Sequence, residues 1–416
     1  MRILELRKGS AEEAELLEAA AAAHGDWVLA AAPVMTRLWL MRSEWAPGLR
    51  YIGGLAAAPD LAHKSDLPPL SVGGAGLRLE DALAACLAEA IERTAQIERD
   101  GDIALTAPLG SVSLPDQIAG LMDLVIAGDP ARADEPIDWV RARDMTTSAE
   151  ILVPADWCLR RQKATVLAIP GAALSTGCAA GPTAEDAYAR GLLELIERDA
   201  ASLWWLGGQP AAALLPGSIE AAAAARLSAE LRQGEDTGRA TRILDISSDL
   251  AIPVMAAVSQ NSGGTGLAIG LAARQSAARA ASSALVELCQ MELALQLAWG
   301  KREQLGNAAL TDVDRRHLER AAVPAANLAP LAPASAPRRH GPPAGGANPA
   351  CQPSTALTEN DIHTWYVDLT RPVSSLRVVK AIAPRLQPMP GDLVTARLSA
   401  VQKARGHGLP PPVMIM

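Results

Sequence analysis

Residues Glu80-Asp-Ala-Leu-Ala-Ala-Cys-Leu-Ala-Glu-Ala-Ile-Glu-Arg93 recur further along the chain as Glu185-Asp-Ala-Tyr-Ala-Arg-Gly-Leu-Leu-Glu-Leu-Ile-Glu-Arg198, with nine of fourteen positions identical. The shared core is E-x-I-E-R: Glu89, Glu92 and Arg93 in the first copy, Glu194, Glu197 and Arg198 in the second. On a helix, residues three apart share a face, so each copy turns two carboxylates the same way with an arginine at their shoulder. A weaker third echo aligns Glu287 with Glu89 and Gln290 with Glu92, without the arginine. The commonest fate of such a motif is a solvated helix face. Here the neighbours are small or apolar (Leu87, Ile91, Leu192, Ile196), which places the carboxylates near the core, where anions need compensation. Five clustered glutamates call for hard cations. Magnesium takes oxygen ligands from a few carboxylates and completes its shell with water and phosphate oxygens, and the two arginines would then face phosphate.

Working outward, the repeats predict long helices over residues 79–99 and 183–205, and the third echo one over 276–299. The glycine-rich residues 71–76 read as a flexible turn before the first of them. Residues 11–23 read as a helix and 27–32 and 36–41 as two strands; further strand-like runs fall at 121–126, 150–154, 165–169, 253–259, 364–369 and 377–382. The expected fold is α+β (mixed α/β), with long Glu-bearing helices packed on mixed sheets. Two units are expected. Residues 1–69 form an N-terminal α/β segment and 70–416 the large domain, interrupted by a Pro/Ala/Gly-rich loop at 321–355 and ending in a proline-containing tail at 410–416.

With 416 residues, 49% hydrophobic and 20% charged, the chain has the composition of a globule. A net charge of −8 argues against a nucleic-acid partner. Five cysteines without C-x-x-C spacing indicate neither a disulfide framework nor a zinc site, which predicts a reducing, cytoplasmic setting. The first residues mix charges into apolar positions, unlike a secretory leader. Residues 164–184 carry no charge, yet Pro170, Gly171, Gly177, Gly181 and Pro182 break any membrane-crossing helix; no membrane association is expected. The six histidines are scattered, Cys178 reads as a small buried residue, and Trp204 and Trp205 read as core, with adenine stacking as the alternative. Neither a G-x-x-x-x-G-K-[ST] loop nor a strand-to-helix G-x-G-x-x-G is present, so any nucleotide is held in another way.

These residues resemble the YcaO superfamily, ATP-dependent enzymes that activate peptide backbone amides. The resemblance rests on Gly76-Leu77-x-Leu79-Glu80-x-Ala82 with Glu89-Ala90-Ile91-Glu92-Arg93, on Ser175-Thr176-Gly177-Cys178-Ala179-Ala180-Gly181 with Glu194-Leu195-Ile196-Glu197-Arg198, on Glu287-x-x-Gln290, and on the closing Ala383-Pro384-Arg385-Leu386-Gln387-Pro388. It implies that Glu89, Glu92, Glu194, Glu197 and Glu287 bind magnesium, and that Arg93, Asp186, Arg198 and Gln290 hold ATP. The family commonly carries Ser where this chain has Ala85, Asn where it has Pro182, and Arg where it has Ser283; Arg190, Arg274 and Arg279 are candidates to restore the charge. The implied reaction is cyclodehydration: a Cys, Ser or Thr of a precursor peptide attacks the preceding amide, whose oxygen ATP phosphorylates, giving an azoline. Thioamide formation with an external sulfur source and a non-catalytic scaffold role stand as alternatives. A tail containing Pro410, Pro411 and Pro412 resembles the proline-rich tail that reaches the active site in azoline-forming members. No leader-binding domain is recognisable before residue 70, which implies a separate partner protein beside the precursor peptide; a homodimer is compatible with the sequence.

Overall fold

A computed structural model describes residues 2–61, 67–162, 167–169, 173–333, 352–389, 392–406 and 415. The chain opens with β1 (Arg2–Leu6), α1 (Ala11–His24), α2 (Trp27–Ala31), β2 (Met35–Arg42), β3 (Arg50–Ala56), β4 (Leu70–Gly76) and α3 (Leu79–Ala95). It continues through β5 (Leu105–Ala107), α4 (Asp116–Ile126), β6 (Ile137–Arg143), β7 (Glu150–Pro154), β8 (Cys178–Gly181) and α5 (Ala184–Trp205). Then follow β9 (Ala212–Ala213), α6 (Ile219–Arg232), β10 (Arg239–Asp245), β11 (Val254–Asn261), β12 (Ala268–Ala273), α7 (Ala277–Leu305), α8 (Asp312–Ala322), α9 (Pro353–Glu359), β13 (Trp365–Asp368), β14 (Arg377–Ile382) and α10 (Ala396–Arg405). The mixed α/β class expected from the sequence is what these elements form.

Three antiparallel sheets carry the architecture: β1-β2-β3-β4, β5-β6-β13-β14-β8 with β7 on β6, and β12-β11-β10-β9. Because β4 pairs with β3 from Leu70 onward, the first 69 residues and those that follow share a sheet. Each sheet delivers one strand directly into one long helix: β4 into α3, β8 into α5, β12 into α7. In every case a glycine lets the helix lie close on its strand. A Cβ on Gly74 would fall 2.2 Å from the Ala82 carbonyl oxygen and the Cys86 nitrogen, one on Gly181 2.6 Å from Ala187 N, and one on Gly270 2.1 Å from Leu288 N. That explains why residues 71–76 form a strand and not the flexible turn expected: the glycines make room for α3.

Two other expectations are corrected. Residues 27–32 were expected as a strand but form α2, an Ala-rich turn of helix packed on α1 and α3, consistent with the high helix propensity of alanine. Residues 121–126 belong to α4, whose buried Ile118, Leu121, Met122 and Val125 follow helical spacing that the short apolar run obscures. Helix α3 ends at Ala95 and not near residue 99, because the next residues pair with another segment: Gln96 accepts from Arg160 N at 2.7 Å and Glu98 N donates to Arg160 at 3.0 Å. Helix α7 runs to Leu305, past the expected 299. Within 165–169, residues 167–169 lie in no strand; Leu167 is buried, its N–H donating to Asp156. The expected loop at 321–355 holds the end of α8, short 3-10 turns at Ala325–Asn327 and Ala329–Leu331, and the start of α9, while 334–351 lie outside the described residues. Trp204 and Trp205 are fully buried and pack edge to face, with Trp204 Nε1 donating to Pro330 O; they fill the core.

Candidate functional site

The three strand-to-helix units meet so that each helix leans on its own strand and on the strand of the next unit: α3 packs on β4 and β8, α5 on β8 and β12, and α7 on β12 and β4. The glutamates follow this cyclic order. Glu89 on α3 accepts from Gly73 N of its own strand at 2.7 Å, whereas Glu92, one turn on, accepts from Ala180 N of the second unit at 2.7 Å. On α5, Glu194 accepts from Gly177 N just before its own strand at 2.9 Å, and Glu197 from Ala273 N of the third unit at 2.9 Å. Glu287 on α7 is hydrogen-bonded to the backbone of Leu271 in its own strand. Gln290 then reaches the first unit, sharing a cavity of about 220 Å³ with Glu89, Gly73 and Tyr51. The ring closes with a neutral amide where a second carboxylate would stand.

Charge is concentrated at two of the three junctions. Burial pushes the Glu92 carboxyl up to about 8, with Glu194 the stronger and Glu89 the weaker repulsive neighbour. Burial, then Glu197, pushes Glu287 up to about 8, and burial also raises Glu197. Two acid pairs result, Glu92 with Glu194 and Glu197 with Glu287. The arginines of the repeat sit on the carboxylates themselves: Arg93 lies 2.8 Å from Glu89, and Arg198 3.4 Å from Glu194 and 3.3 Å from Glu197. Arg190, held by the Ala180 carbonyl at 3.1 Å, offsets charge at Glu92; Arg274, held by the Ala273 carbonyl at 2.7 Å, does so at Glu197 and Glu287. Arg279 lies exposed at the start of α7.

Asp186 lies apart, exposed in the first turn of α5, where Thr183 and Asp186 cap the helix at 2.8 and 3.1 Å; eight residues of helix put it about 12 Å along the axis from Glu194. Ala85 and Pro182 are exposed and Ser283 partly buried. Pro410, Pro411 and Pro412 lie outside the described residues. Cys178 is buried with its thiol pushed up by burial and by Glu92, the state of an unreactive core residue.

The sequence reading missed two cations beside the ring. Lys380 of β14 is buried and donates to the carbonyls of Leu174 and Thr176 at 2.8 and 2.5 Å, framing the turn whose Gly177 N–H holds Glu194. Burial, then the neighbouring Arg93, lowers the pKa of Arg160. Both line a cavity of about 410 Å³ with largely apolar walls that opens beside Arg198 and Leu195. A lone lysine inside an otherwise apolar strand was the available signal for Lys380.

The donor set fits magnesium. Among the described residues no three His, Cys, Asp or Glu converge on one point, but magnesium needs only one or two protein carboxylates, the rest of its octahedron coming from water and phosphate. Partly desolvated carboxylates that repel each other in pairs are the arrangement such an ion relieves.

The YcaO family profile, described as a YcaO cyclodehydratase, ATP- and Mg2+-binding, matches residues 73–387, and the chain belongs to this family. Among solved structures, a heterocyclase in complex with substrate and cofactor superposes with a TM-score of 0.69 at 20% identity, over 94% of this chain and 55% of that one. YcaO from Methanopyrus kandleri bound with AMPPCP and Mg2+ gives 0.57 at 18% identity, over 90% and 91%. A chain of the E. coli microcin synthetase McbBCD complex gives 0.60 at 13% identity, over 84% and 88%. The chain thus spans about half the length of the heterocyclase it matches. No curated protein matches it in sequence. Among the described residues no helix is long and apolar enough to cross a membrane.

Proposed function

We propose that the protein uses ATP and magnesium to activate backbone amides of a ribosomally made precursor peptide, forming azolines from Cys, Ser or Thr. The observation that carries this reading is the two carboxylate pairs, Glu92 with Glu194 and Glu197 with Glu287, half-buried except for the buried Glu197, arranged around one ring and flanked by arginines. In it Glu92, Glu194, Glu197 and Glu287 hold the magnesium ions, and Glu89 with Gln290 completes the third junction. Arg93 and Arg198 would hold phosphate oxygens, and Arg190 and Arg274 would add positive potential where Ala85 and Ser283 supply none. Bound Mg·ATP supplies the phosphoryl group that turns the amide oxygen into a leaving group. The cavity beside Arg198 gives the reacting residue an apolar, water-poor place next to that phosphate. Asp186, far along α5, would help hold the nucleotide. The precursor peptide and a separate leader-binding protein are the expected partners.

Calorimetric titration with Mg·ATP tests the reading. Binding by the intact chain that disappears in a Glu194→Gln, Glu197→Gln variant supports it. The absence of binding by a folded intact chain favours a non-catalytic scaffold, the role to which Ala85, Pro182 and Ser283 point.

A further inference from the structure

Strands β6 and β13 are neighbours in their sheet yet pair at a single position, Tyr366 opposite Arg143. Beyond it the antiparallel course would set residues 367–369 against 142–140, and no pairing is formed there. On its other edge β6 is fully paired with β7 from Trp139 to Arg143, and on the open edge pairing resumes at Trp139, whose carbonyl accepts from Ala104 N at 2.8 Å. The sheet therefore contains a three-sided opening bounded by β6, β13 and the chain at 101–104. Its far side is latched by Arg371, which holds both oxygens of Asp102 at 2.8 Å and the Ala95 carbonyl at the end of α3 at 3.0 Å. The opening encloses about 1010 Å³.

We propose that this opening receives a short extended segment of a peptide carrying acidic side chains, which adds to the free strand edges. Edge strands that present unpaired backbone groups template such addition, main-chain hydrogen bonds supplying affinity and flanking side chains specificity. Backbone groups alternate between the two edges of a strand: Leu369 N donates to Val378 O across β14 and Asp144 N to Ala149 O beside β7, which leaves Arg141 of β6 and Asp368 of β13 facing the opening, room for a segment of roughly three residues at about 3.3 Å each. Charge selects its character: the rim carries Arg141, Arg143, Arg371 and Arg377 against Asp102 and Asp368, and among the described residues Arg377 forms no ion pair. Glu150, which offsets Arg141 and Arg143, stands on β7, away from the opening. The opening also leads somewhere. Buried Leu159 is a wall common to it and to the cavity beside Arg198, so a segment held here stands one side chain away from the proposed reaction site. The choice of a peptide as occupant rests on the function proposed above; the opening and its charge do not.

The test uses the full chain and two dye-labelled probes, Ac-Glu-Val-Glu-Val-Glu-amide and its Lys counterpart. The acidic probe is expected to bind with salt-dependent affinity, at least about tenfold more tightly than the basic one, and to lose about tenfold in an Arg141→Glu, Arg377→Glu variant or when its central amide is N-methylated. At saturation, hydrogen exchange at Arg141 and Asp368 is expected to slow. Equal binding of both probes, no binding of the acidic one, or unchanged exchange at these residues overturns the inference. Mg·ATP binding in the same samples separates the two claims: its absence with probe binding intact defeats the proposed function and leaves the opening, while its presence without probe binding defeats the opening alone.

Discussion

Glu92 accepts a 2.7 Å hydrogen bond from the backbone N–H of Ala180, eighty-eight residues further along the chain. This bond couples the first strand-to-helix unit to the second, and Glu197 repeats it between the second and the third through Ala273. A carboxylate tied down by a strand amide is fixed in position before any ion arrives, the preorganisation a metal site needs. The same bonds hold the acids close enough to repel. The cost, burial first and repulsion by the neighbouring acid after it, is visible in the raised Glu92 and Glu287 carboxyls.

That cost makes metal-free stability depend on pH. A carboxyl at about 8 in the folded state and near 4.3 unfolded binds more protons folded than unfolded across the interval, so stability falls as pH rises from about 4.3 to 8 and levels off above. In EDTA the melting temperature should decline between pH 5 and 8, and at pH 8 Glu92→Gln or Glu287→Gln should raise it. Added Mg·ATP should flatten the decline in the parent chain. A flat EDTA profile over this interval would contradict the assignment.

Helix α3 can approach β4 only because position 74 lacks a side chain. In Gly74→Ala the new Cβ meets backbone atoms at 2.2 Å, and in Gly270→Ala at 2.1 Å, neither of which can swing aside. Each substitution should cost about 3 kcal/mol or more by overpacking, read from urea unfolding. Gly120→Ala, where nothing lies within 4 Å, is the control and should be neutral or slightly stabilising.

Lys380 acts through the turn it frames. In Lys380→Met the Thr176 carbonyl loses its donor, the Leu174 carbonyl keeps only Gln96 Nε2 at 2.9 Å, and the Gly177 N–H drifts from Glu194. Mg·ATP affinity should fall about tenfold, one charge-assisted hydrogen bond's worth, with circular dichroism unchanged. Lys380→Arg, which preserves the donors, should recover part of the loss.

Glu292 on α7 is completely buried between Arg232 and Arg239, with Ser259 donating to it as well. Glu292→Ala leaves two guanidinium groups without their acid and should destabilise by about 3–5 kcal/mol. Whatever fraction folds should bind Mg·ATP normally, which distinguishes this purely structural ion cluster from the ring.

The repeated helices, the glutamates and the family they resemble were legible because their information is local: residues three apart on one helix must share a face whatever surrounds them. The cyclic order was not. Nothing in Glu92 or Ala180 taken singly says that they meet, and the Gln290 to Glu89 junction exists only once three sheets are assembled. Residues 71–76 misled for a related reason: a glycine that makes room for a helix looks, in sequence, like one that makes a turn. The opening between β6 and β13 is equally silent, since both strands have ordinary β-forming residues and only their pairing departs from the rule.

The proposed function requires the ring to hold two ions, one at each acidic junction. The most direct measurement is the number of Mn2+ ions bound with a non-hydrolysable ATP analogue, counted by electron paramagnetic resonance. Two ions are expected for the parent chain and one for each of the paired variants Glu92→Gln, Glu194→Gln and Glu197→Gln, Glu287→Gln. Two ions retained in either paired variant, or a single ion in the parent chain, would contradict it.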